Sequence, residues 1–206
     1  MTQDLSHLRA PTQKRSMKRV NLILEAARVL IAKHGSAGLK IQDIAKEAGV
    51  TAGSMYQYFP NKAAIIQALG QRYLDETAGM IEASLAPPPK NAQEFLTRVD
   101  GIFDAYYQLH VADPVIQDIW MGTHADKTLQ AIDDADTLRN AEAIYTCCAP
   151  LFVVGREREI KTAILLCLKC ANTALRVALD QSPDDAEMTV SSFKEMIAAL
   201  LCKFLK

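Results

Sequence analysis

The sequence predicts an all-α fold. Half of its 206 residues are hydrophobic and only nine are glycine, and the apolar residues recur at helical spacing and not in the alternation of strands. Prolines and glycines divide this pattern into segments of helical length. A chain of this size can bury a core and hold two domains. We therefore expect a small N-terminal and a larger C-terminal domain, both helical.

The first helix is predicted over residues 16–34. Gly35 follows it and suits the left-handed backbone with which many helices end. One face of this helix is apolar, which predicts that it packs against other elements. The apolar residues on that face are Val20, Ile23, Leu24, Ala27, Leu30 and Ile31.

Residues 41–62 carry the most informative pattern, two short helices joined by a glycine turn. Ile44 and Ala45 lie on one apolar face of the first short helix. Gly49 can adopt the left-handed conformation of a tight turn, and Thr51 can accept a backbone N–H as the N-cap of the second helix. This pattern is typical of a helix-turn-helix, which presents its second helix to the DNA major groove.

The second short helix has an inward side, an outward side and a defined end. Met55 and Phe59 face inward, Pro60 breaks the chain, and Asn61 can cap a helix that begins at Lys62. The other residues are small, hydroxylic or uncharged, namely Thr51, Ala52, Gly53, Ser54, Tyr56, Gln57 and Tyr58. A helical hairpin with the aromatic residues in a core is the alternative. The combined pattern favours insertion into DNA.

The same block resembles the TetR (tetracycline-repressor-like) family of regulators. The resemblance is carried by IAKEAGV, TAGSMYQYF and Asn61-Lys62, and it extends over residues 16–66. It implies an N-terminal three-helix helix-turn-helix domain and a C-terminal helical domain for ligand binding and dimerisation. The corresponding boundaries are 1–15 for a flexible basic arm, 16–62 for the DNA-binding domain and 63–206 for the second domain, with 63–85 as the connecting helix.

The resemblance also implies roles for single residues. Base edges or the nearby backbone would be contacted by Thr51, Ala52, Gly53, Ser54 and Gln57. Phosphates would be contacted by Tyr56, Tyr58 and Lys62. The family usually has a phosphate-contacting hydroxyl cap before the first motif helix, whereas this sequence has Leu39-Lys40. Lys40 can supply positive charge there, but it cannot cap the helix.

The charge is divided unevenly along the chain. The first 62 residues hold ten Lys/Arg and four Asp/Glu, a net charge of +6, and the rest hold thirteen and twenty, a net of −7. This asymmetry indicates a polyanion-binding end on an acidic body. The basic arm at 1–15 either contacts DNA phosphates or an adjacent minor groove, or remains free in solvent.

The rest of the sequence predicts six further helices. They lie near 62–85, 93–110, 114–121, 126–147, 156–180 and 184–204, with the break at Pro87-Pro88-Pro89 after the first. The last two carry apolar stripes, which are Ile160, Ile164, Cys167, Ala171, Leu175 and Ala178, and Phe193, Met196, Ile197, Leu200, Leu201 and Phe204. Either this pair of helices forms a four-helix homodimer interface, or both stripes cover the chain's own core.

Aromatic and soft side chains concentrate in the middle helices. Apolar walls with a few polar groups are typical of a small-molecule pocket, and equally of a core. The candidate effector-binding residues are Phe103, Tyr106, Tyr107, His110, Trp120, Met121, His124, Tyr145 and Phe152, with Asp118 as a further polar candidate. In the family, effector binding shifts the connecting helix and releases a palindromic double-stranded operator.

Other classes of function find little support in the residues. The sequence holds no motif of a hydrolase, a phosphate-binding loop or a zinc protease, so we expect no enzyme and no cofactor or metal. The five cysteines predict buried thiols, and Asp133, Asp134 and Asp136 predict a solvated helix face. With no signal peptide or membrane span, a cytoplasmic protein is expected. Control by a protein partner or by cysteine oxidation, without a small molecule, is the alternative mechanism.

Overall fold

Most of the described residues lie in helices. The computed structural model describes the backbone of residues 9–123 and 126–206 and the side chains of residues 15–120 and 126–206. Within these ranges there is no strand, so the predicted all-α fold is confirmed. The helices are α1 Arg9–His34, α2 Ile41–Glu47, α3 Ala52–Tyr56, α4 Lys62–Leu85, α5 Ala92–Ala112, α6 Pro114–Thr123, α7 Lys127–Cys148, α8 Glu157–Leu179 and α9 Pro183–Leu201. Short 3₁₀ turns follow α7 and α9.

Helix α1 begins earlier than the sequence predicts. Its first residue is Arg9, so residues 9–15, which we assigned to a flexible arm, are helical. Pro11 is compatible with this start because it lies in the first turn, where backbone N–H groups have no intrahelical partner. The remaining arm residues, 1–8, lie outside the described residues.

The chain divides into two compact units whose boundary differs from the predicted one. The first unit comprises Met1–Arg72 and Pro114–Asp126, and the second comprises Tyr73–Asp113 and Lys127–Lys206. The boundary therefore falls within α4, and α6 belongs to the N-terminal unit. The reason is packing between residues far apart in sequence, since α6 lies against α1.

The core of the first unit is built from the apolar faces of its helices. The stripe predicted for α1 is buried at Ile23, Leu24, Ala27 and Ile31. The other helices contribute Ile44 and Ala45 from α2, Met55 from α3, Ile65 and Leu69 from α4, and Val115, Ile116 and Ile119 from α6. Burial of these side chains fixes how α1, α2 and α3 are oriented relative to one another.

The second unit is a helical bundle with an aromatic core. Phe95 meets Phe152 edge-on, with ring centroids 5.6 Å apart, and Phe103 packs on Phe193 at 4.8 Å. The C-terminal residues are hydrogen-bonded to the segment between α7 and α8, since Val153 N donates to Phe204 O at 2.8 Å. These contacts lock α5, α7, α8 and α9 around one core.

The stripes that we predicted for α8 and α9 lie mainly in this core. Their buried members are Ile160, Ile164, Leu175, Ala178, Phe193, Ile197, Leu201 and Phe204. Met196 of the α9 stripe faces outward instead, at 65% exposed, as do Leu166 and Val177 on α8 and Met188 on α9, which lie outside the stripes and are 53%, 44% and 61% exposed. Most of the two stripes therefore covers the chain's own core, which is the second of the two alternatives, because sequence periodicity marks a buried face without naming its partner.

Helix α8 is unusually apolar for a helix with so much exposed surface. Within the described residues it is the helix long and apolar enough to cross a membrane by composition alone, with a mean hydropathy of 1.5 over 18 residues, of which 22% are buried. The core helices of many soluble proteins meet the same criterion. Its Lys169 is paired, since Nζ lies 3.0 Å from Asp133 Oδ2 and 2.7 Å from Asp134 Oδ1.

Candidate nucleic-acid interface

The turn between α2 and α3 has the geometry that its residues predict. Gly49 has φ +63°, and Val50 N donates to Ala45 O at 2.9 Å, which closes the turn. Thr51 is the N-cap of α3, with Oγ1 accepting from Ser54 N at 3.2 Å. Each of these bonds satisfies a backbone group at a helix end. The predicted glycine turn and hydroxyl cap are thus present.

Helix α3 separates a buried side from an open side. Met55 and Phe59 are buried, which anchors the helix to its unit. The open side is formed by Thr51, Ala52, Gly53, Tyr56 and Gln57, all exposed, with Ser54 and Tyr58 half-buried beside them. This surface carries no charge, and it is small enough at its N-terminal end to come close to another molecule.

Neither the backbone conformation nor the packing of the described residues requires a glycine at position 53. Its φ is not positive, and a Cβ built on it meets nothing within 4 Å. Glycine in a helix is less favourable than alanine by up to about 1 kcal/mol. Close approach of a partner surface would account for a glycine at this position.

The two candidate lysines lie in different environments. Lys40 is exposed and makes no side-chain cap to α2, as the sequence predicts. Lys62 is half-buried, and its Nζ donates to Ser36 O at 3.3 Å and to Ala37 O at 3.1 Å. An ammonium has three donors, so Lys62 keeps one for an external group. Its main contact in the structure is with the turn after α1.

Helix α1 carries the described basic residues of the N-terminal segment. Arg15, Lys18 and Arg19 are exposed along it. The helix runs opposite to α4: the turn at its C-terminal end receives Lys62, whereas Arg72, ten residues further along α4, bonds Asn21. The N-terminal turns of α1 therefore continue away from the α3–α4 junction.

The predicted effector-binding residues fall into two groups. Phe103, Tyr106, Tyr107, His110, Tyr145 and Phe152 belong to the second unit and pack in or against its core. Trp120 belongs to the first unit, on α6. The side chains of Met121 and His124 lie outside the described residues.

Phe103 and Tyr145 serve as core residues in this structure. The Tyr145 ring stacks on Phe152 at 6.0 Å and lies under Lys161 Nζ at 4.8 Å. Phe103 packs on Phe193. Neither lines the cavity of about 490 Å³ on the α7–α8 surface, which is formed by Leu138, Ala141, Glu142, Glu157, Arg158, Lys161, Thr162 and Leu165. That cavity is an open surface groove.

Two of the candidates form a polar pair inside the second unit. The Tyr106 hydroxyl donates to Asn172 Oδ1, and burial raises its pKa, with the negative charge of Asp133 adding to the effect. His110 is buried, with Nδ1 2.9 Å from Tyr106 O. Burial lowers the pKa of His110, so the neutral ring carries its hydrogen on Nδ1 and donates it to that carbonyl.

The acidic run on α7 is only partly a solvated face. Asp134 is exposed, but Asp136 is buried, and it accepts from Asn140 Nδ2 at 2.8 Å and from Arg139. Burial raises the pKa of Asp136, and the cation of Arg139 opposes this shift. The expectation of a solvated run was wrong at Asp136, because an i, i+4 amide partner allows a carboxylate to lie in the core.

The Asp118 carboxylate is hydrogen-bonded to another residue of the first unit. Its carboxylate accepts from Ser36 N at 2.7 Å and from the Ser36 hydroxyl. This contact joins residues 82 positions apart, so no local pattern indicates it. Sequence reasoning named Asp118 as a polar candidate for the effector and missed Ser36 altogether.

Comparison with known proteins gives the family of the chain. A family model described as "Tetracyclin repressor-like, C-terminal domain" matches residues 93–205, and one described as "Bacterial regulatory proteins, tetR family" matches residues 23–69. The chain is also 32% identical over 91 residues to YvdT of Bacillus subtilis, an uncharacterized HTH-type transcriptional regulator. That alignment covers 44% of this chain and 45% of YvdT, so the chain spans about half the length of this curated relative.

Solved structures share the fold over nearly the whole chain. A TetR-family transcriptional regulator from Streptomyces coelicolor superposes with a TM-score of 0.71 at 23% identity, covering 91% of this chain and 99% of that one. SmeT, the repressor of the Stenotrophomonas maltophilia multidrug efflux pump SmeDEF, gives 0.67 at 18% identity over 91% and 90%. One family model covers more than half of the sequence and another covers the helix-turn-helix. The chain therefore belongs to the TetR family of bacterial regulatory proteins.

Proposed function

We propose that this protein is a transcriptional repressor that binds a palindromic operator as a homodimer and is released by a small-molecule effector. The observation that carries the DNA-binding part is the exposed, uncharged side of α3 with Gly53 open to solvent. A helix with this surface can approach base edges in the major groove closely. Operator DNA lies in the bacterial cytoplasm, so we place the protein there.

Phosphate contacts supply register and most of the attraction in this proposal. Lys40 lies exposed at the start of α2, and Tyr56 and Tyr58 offer hydroxyl groups beside the α3 surface. Thr51, Gly53 and Gln57 then discriminate between base pairs. The net charge of +6 in the first 62 residues steers this end of the molecule towards DNA.

The homodimer is proposed to form through the outward faces of α8 and α9. Leu166 and Val177 lie eleven residues apart on one side of α8 and are both substantially exposed. Met188 and Met196, two turns apart on α9, add soft apolar surface that adapts to a partner. A two-fold dimer presents two copies of α3 to half-sites one helical turn apart, about 34–36 Å.

The effector is proposed to bind within the second unit near Tyr106 and His110. These side chains combine aromatic walls with a hydroxyl and a neutral imidazole. Because they pack against the core, a ligand can enter only a conformer in which these helices have separated. Such a ligand stabilises that conformer, and it releases DNA if the conformer binds the operator less tightly.

Control by a protein partner or by cysteine oxidation remains the alternative, and two of the five thiols, Cys148 and Cys167, give little support to oxidation. Burial raises the pKa of Cys148 to about 12, with Cys147 adding to the shift, and it raises that of Cys167 to about 11. The thiolate is the form that reacts with oxidants. Thermal-shift screening separates the other two mechanisms, because a stabilising small molecule that also lowers operator affinity is expected only for an effector.

Selection of bound sequences from random double-stranded DNA tests the DNA-binding proposal. We expect an inverted repeat whose half-site centres are about 10 base pairs apart. Affinity for that duplex should fall steeply with salt, with a log–log slope of about −5 to −9 for six to ten phosphate contacts. Failure to enrich any sequence at low ionic strength, by a folded protein, would refute the proposal.

The two lysines should respond differently to the same substitution. Lys40→Met should leave the free energy of unfolding unchanged and make the salt slope shallower by about one per subunit. Lys62→Met should lower the free energy of unfolding by about 1–2 kcal/mol, because it removes the ammonium bonded to Ser36 O and Ala37 O. Urea denaturation and fluorescence anisotropy measure the two quantities. Equal losses of stability in the two variants would contradict the assigned contacts.

A further inference from the structure

The five cysteines differ in their surroundings. Cys148 is buried, Cys202 is exposed, and Cys147, Cys167 and Cys170 are half-buried, all as free thiols. The expectation of buried thiols is therefore correct only for Cys148. Two thiols that can reach the same atom hold it far more tightly than either does alone, because the second bond forms within the first complex. The cysteines that lie close together in pairs are thus the ones to consider as a binding site.

Cys167 and Cys170 form one such pair on α8. They lie three residues apart within a helix that runs from Glu157 to Leu179. Side chains at this spacing are neighbours on the helix surface, with Cβ atoms about 5–6 Å apart. One sulfur extends from each Cβ, so the separation is short enough for both sulfurs to bond one atom between them. Burial raises the pKa of Cys167 to about 11, and the nearby thiol of Cys170 adds to this rise, which also shows that the two are close.

The second pair, Cys147 and Cys148, is less open to an external reagent. Cys148 is only 1% exposed. The thiol of Cys147 is engaged within the fold, since its Sγ donates to Leu85 O at 3.7 Å. Cys202 lies in the exposed turn after α9 and supplies a single accessible thiol. Cys167 and Cys170 are therefore the pair in which both thiols are partly accessible.

The number of groups at this pair argues against a zinc site. Structural zinc is held by four protein ligands, and catalytic zinc by three. Within the described residues, no three His, Cys, Asp or Glu side chains are grouped so that they could hold a metal ion. The ligand for Cys167 and Cys170 must therefore need only two bonds from the protein.

The surroundings of the pair favour a ligand that leaves no net charge. Ala171 and Ala174 lie beside the two cysteines on α8 and pack with them against the apolar core of the second unit. A charge placed there loses solvation without a partner. The high pKa of Cys167 also keeps this thiol protonated at neutral pH, so a ligand that reacts only with thiolates is disfavoured.

We propose that Cys167 and Cys170 bind trivalent organoarsenic compounds as a chelating dithiol. In R–As(OH)2 the two As–O bonds break and two As–S bonds form, and each oxygen leaves as water with its own hydrogen and that of one thiol. Arsenic stays in the +3 state, so neither an oxidant nor a reductant is needed, and the product R–As(S–Cys)2 is uncharged. The organic group R keeps the third position on arsenic, beside the small side chains of Ala171 and Ala174. This site depends on neither DNA binding nor the proposed effector.

Phenylarsine oxide, with mass spectrometry of the intact full-length protein, tests the proposal. We expect one phenylarsenic group per chain that withstands a large excess of glutathione, a monothiol, and is removed by ethanedithiol. Cys167→Ser and Cys170→Ser should each bind the group about 10²-fold or more weakly, because each leaves a single thiol. Cys147→Ser and Cys202→Ser are the matched controls and should retain it as the wild-type protein does.

Two further measurements keep the test decisive if a serine variant does not fold. Cys167→Ala and Cys170→Ala make the same removals without placing a hydroxyl group near the core. In the wild-type protein, phenylarsine oxide should protect Cys167 and Cys170 from alkylation by iodoacetamide and leave Cys202 reactive. A wild-type protein that retains no arsenic, a folded variant at Cys167 or Cys170 that retains it fully, or protection of Cys147 and Cys148 instead would each overturn the proposal.

Discussion

The double variant Leu166→Asp, Val177→Asp should be monomeric and should bind the operator about 10²- to 10⁴-fold more weakly than the wild-type protein. Both side chains are exposed in the single chain, at 53% and 44%, so the carboxylates leave the fold of the subunit intact. In a dimer they would be buried against the partner without a counter-charge, which is strongly unfavourable. The dimer therefore dissociates and the folded subunit persists.

The loss of affinity follows from the loss of the second half-site. Once one subunit of a dimer is bound, the other meets its half-site at an effective concentration near the millimolar range. A monomer has no such advantage and makes half of the phosphate contacts, so the slope of log affinity against log salt should also halve. The salt slope thus distinguishes loss of dimerisation from local damage to α3, which leaves the slope nearly unchanged.

Light scattering and fluorescence anisotropy measure the two quantities on the same samples. Val111→Asp is the matched control, because Val111 is 48% exposed but lies at the end of α5 and not on α8 or α9. We expect it to remain dimeric with wild-type affinity. A dimeric double variant, or a wild-type protein that is monomeric at micromolar concentration, would show that these helices do not form the interface.

The helix-turn-helix could be predicted from sequence because its signals are local. Gly49 adopts the left-handed turn, Thr51 caps α3, and Asn61 caps α4 by accepting from Ala64 N at 2.9 Å. Each of these roles involves residues only a few positions apart, so residue type and spacing specify it. The inward orientation of Met55 and Phe59 follows from the same short-range periodicity.

The features that could not be predicted depend on distant residues. The grouping of α6 with the first unit rests on its packing against α1 and on the bond from Ser36 to Asp118. The division of α8 into a buried face and an exposed face depends on where α7 and α9 lie. Periodicity identified Ile164 and Leu175 as a stripe, but it could not decide between a core and an interface. Asp136 was likewise assigned to solvent because its burial depends on the bundle.

Replacing Gly53 by alanine should raise stability and lower operator affinity at the same time. The added Cβ meets no atom of the chain within 4 Å, and the backbone needs no positive φ, so the free energy of unfolding should rise by up to about 1 kcal/mol. For a domain of this size that is a few degrees in Tm. If α3 enters the major groove as proposed, the same methyl group occupies the space into which DNA comes.

The effect on DNA binding should be about tenfold or more. Overpacking a close interface by one methyl group costs about 1–3 kcal/mol, and a dimer carries the substitution at both half-sites. Gly101→Ala is the matched control, since Gly101 lies exposed within α5 and a Cβ there also meets nothing within 4 Å. It should gain similar stability and keep wild-type affinity. Thermal unfolding and anisotropy give both readings.

Opposite changes in stability and affinity identify a residue retained for its partner. A glycine required by the fold, such as Gly49 with φ +63°, should instead lose stability when replaced by alanine. If Gly53→Ala bound the operator as tightly as wild type while gaining stability, α3 would not approach the groove at this residue, and the outward face of the helix would need another explanation. A loss of stability would show that Gly53 serves the fold after all.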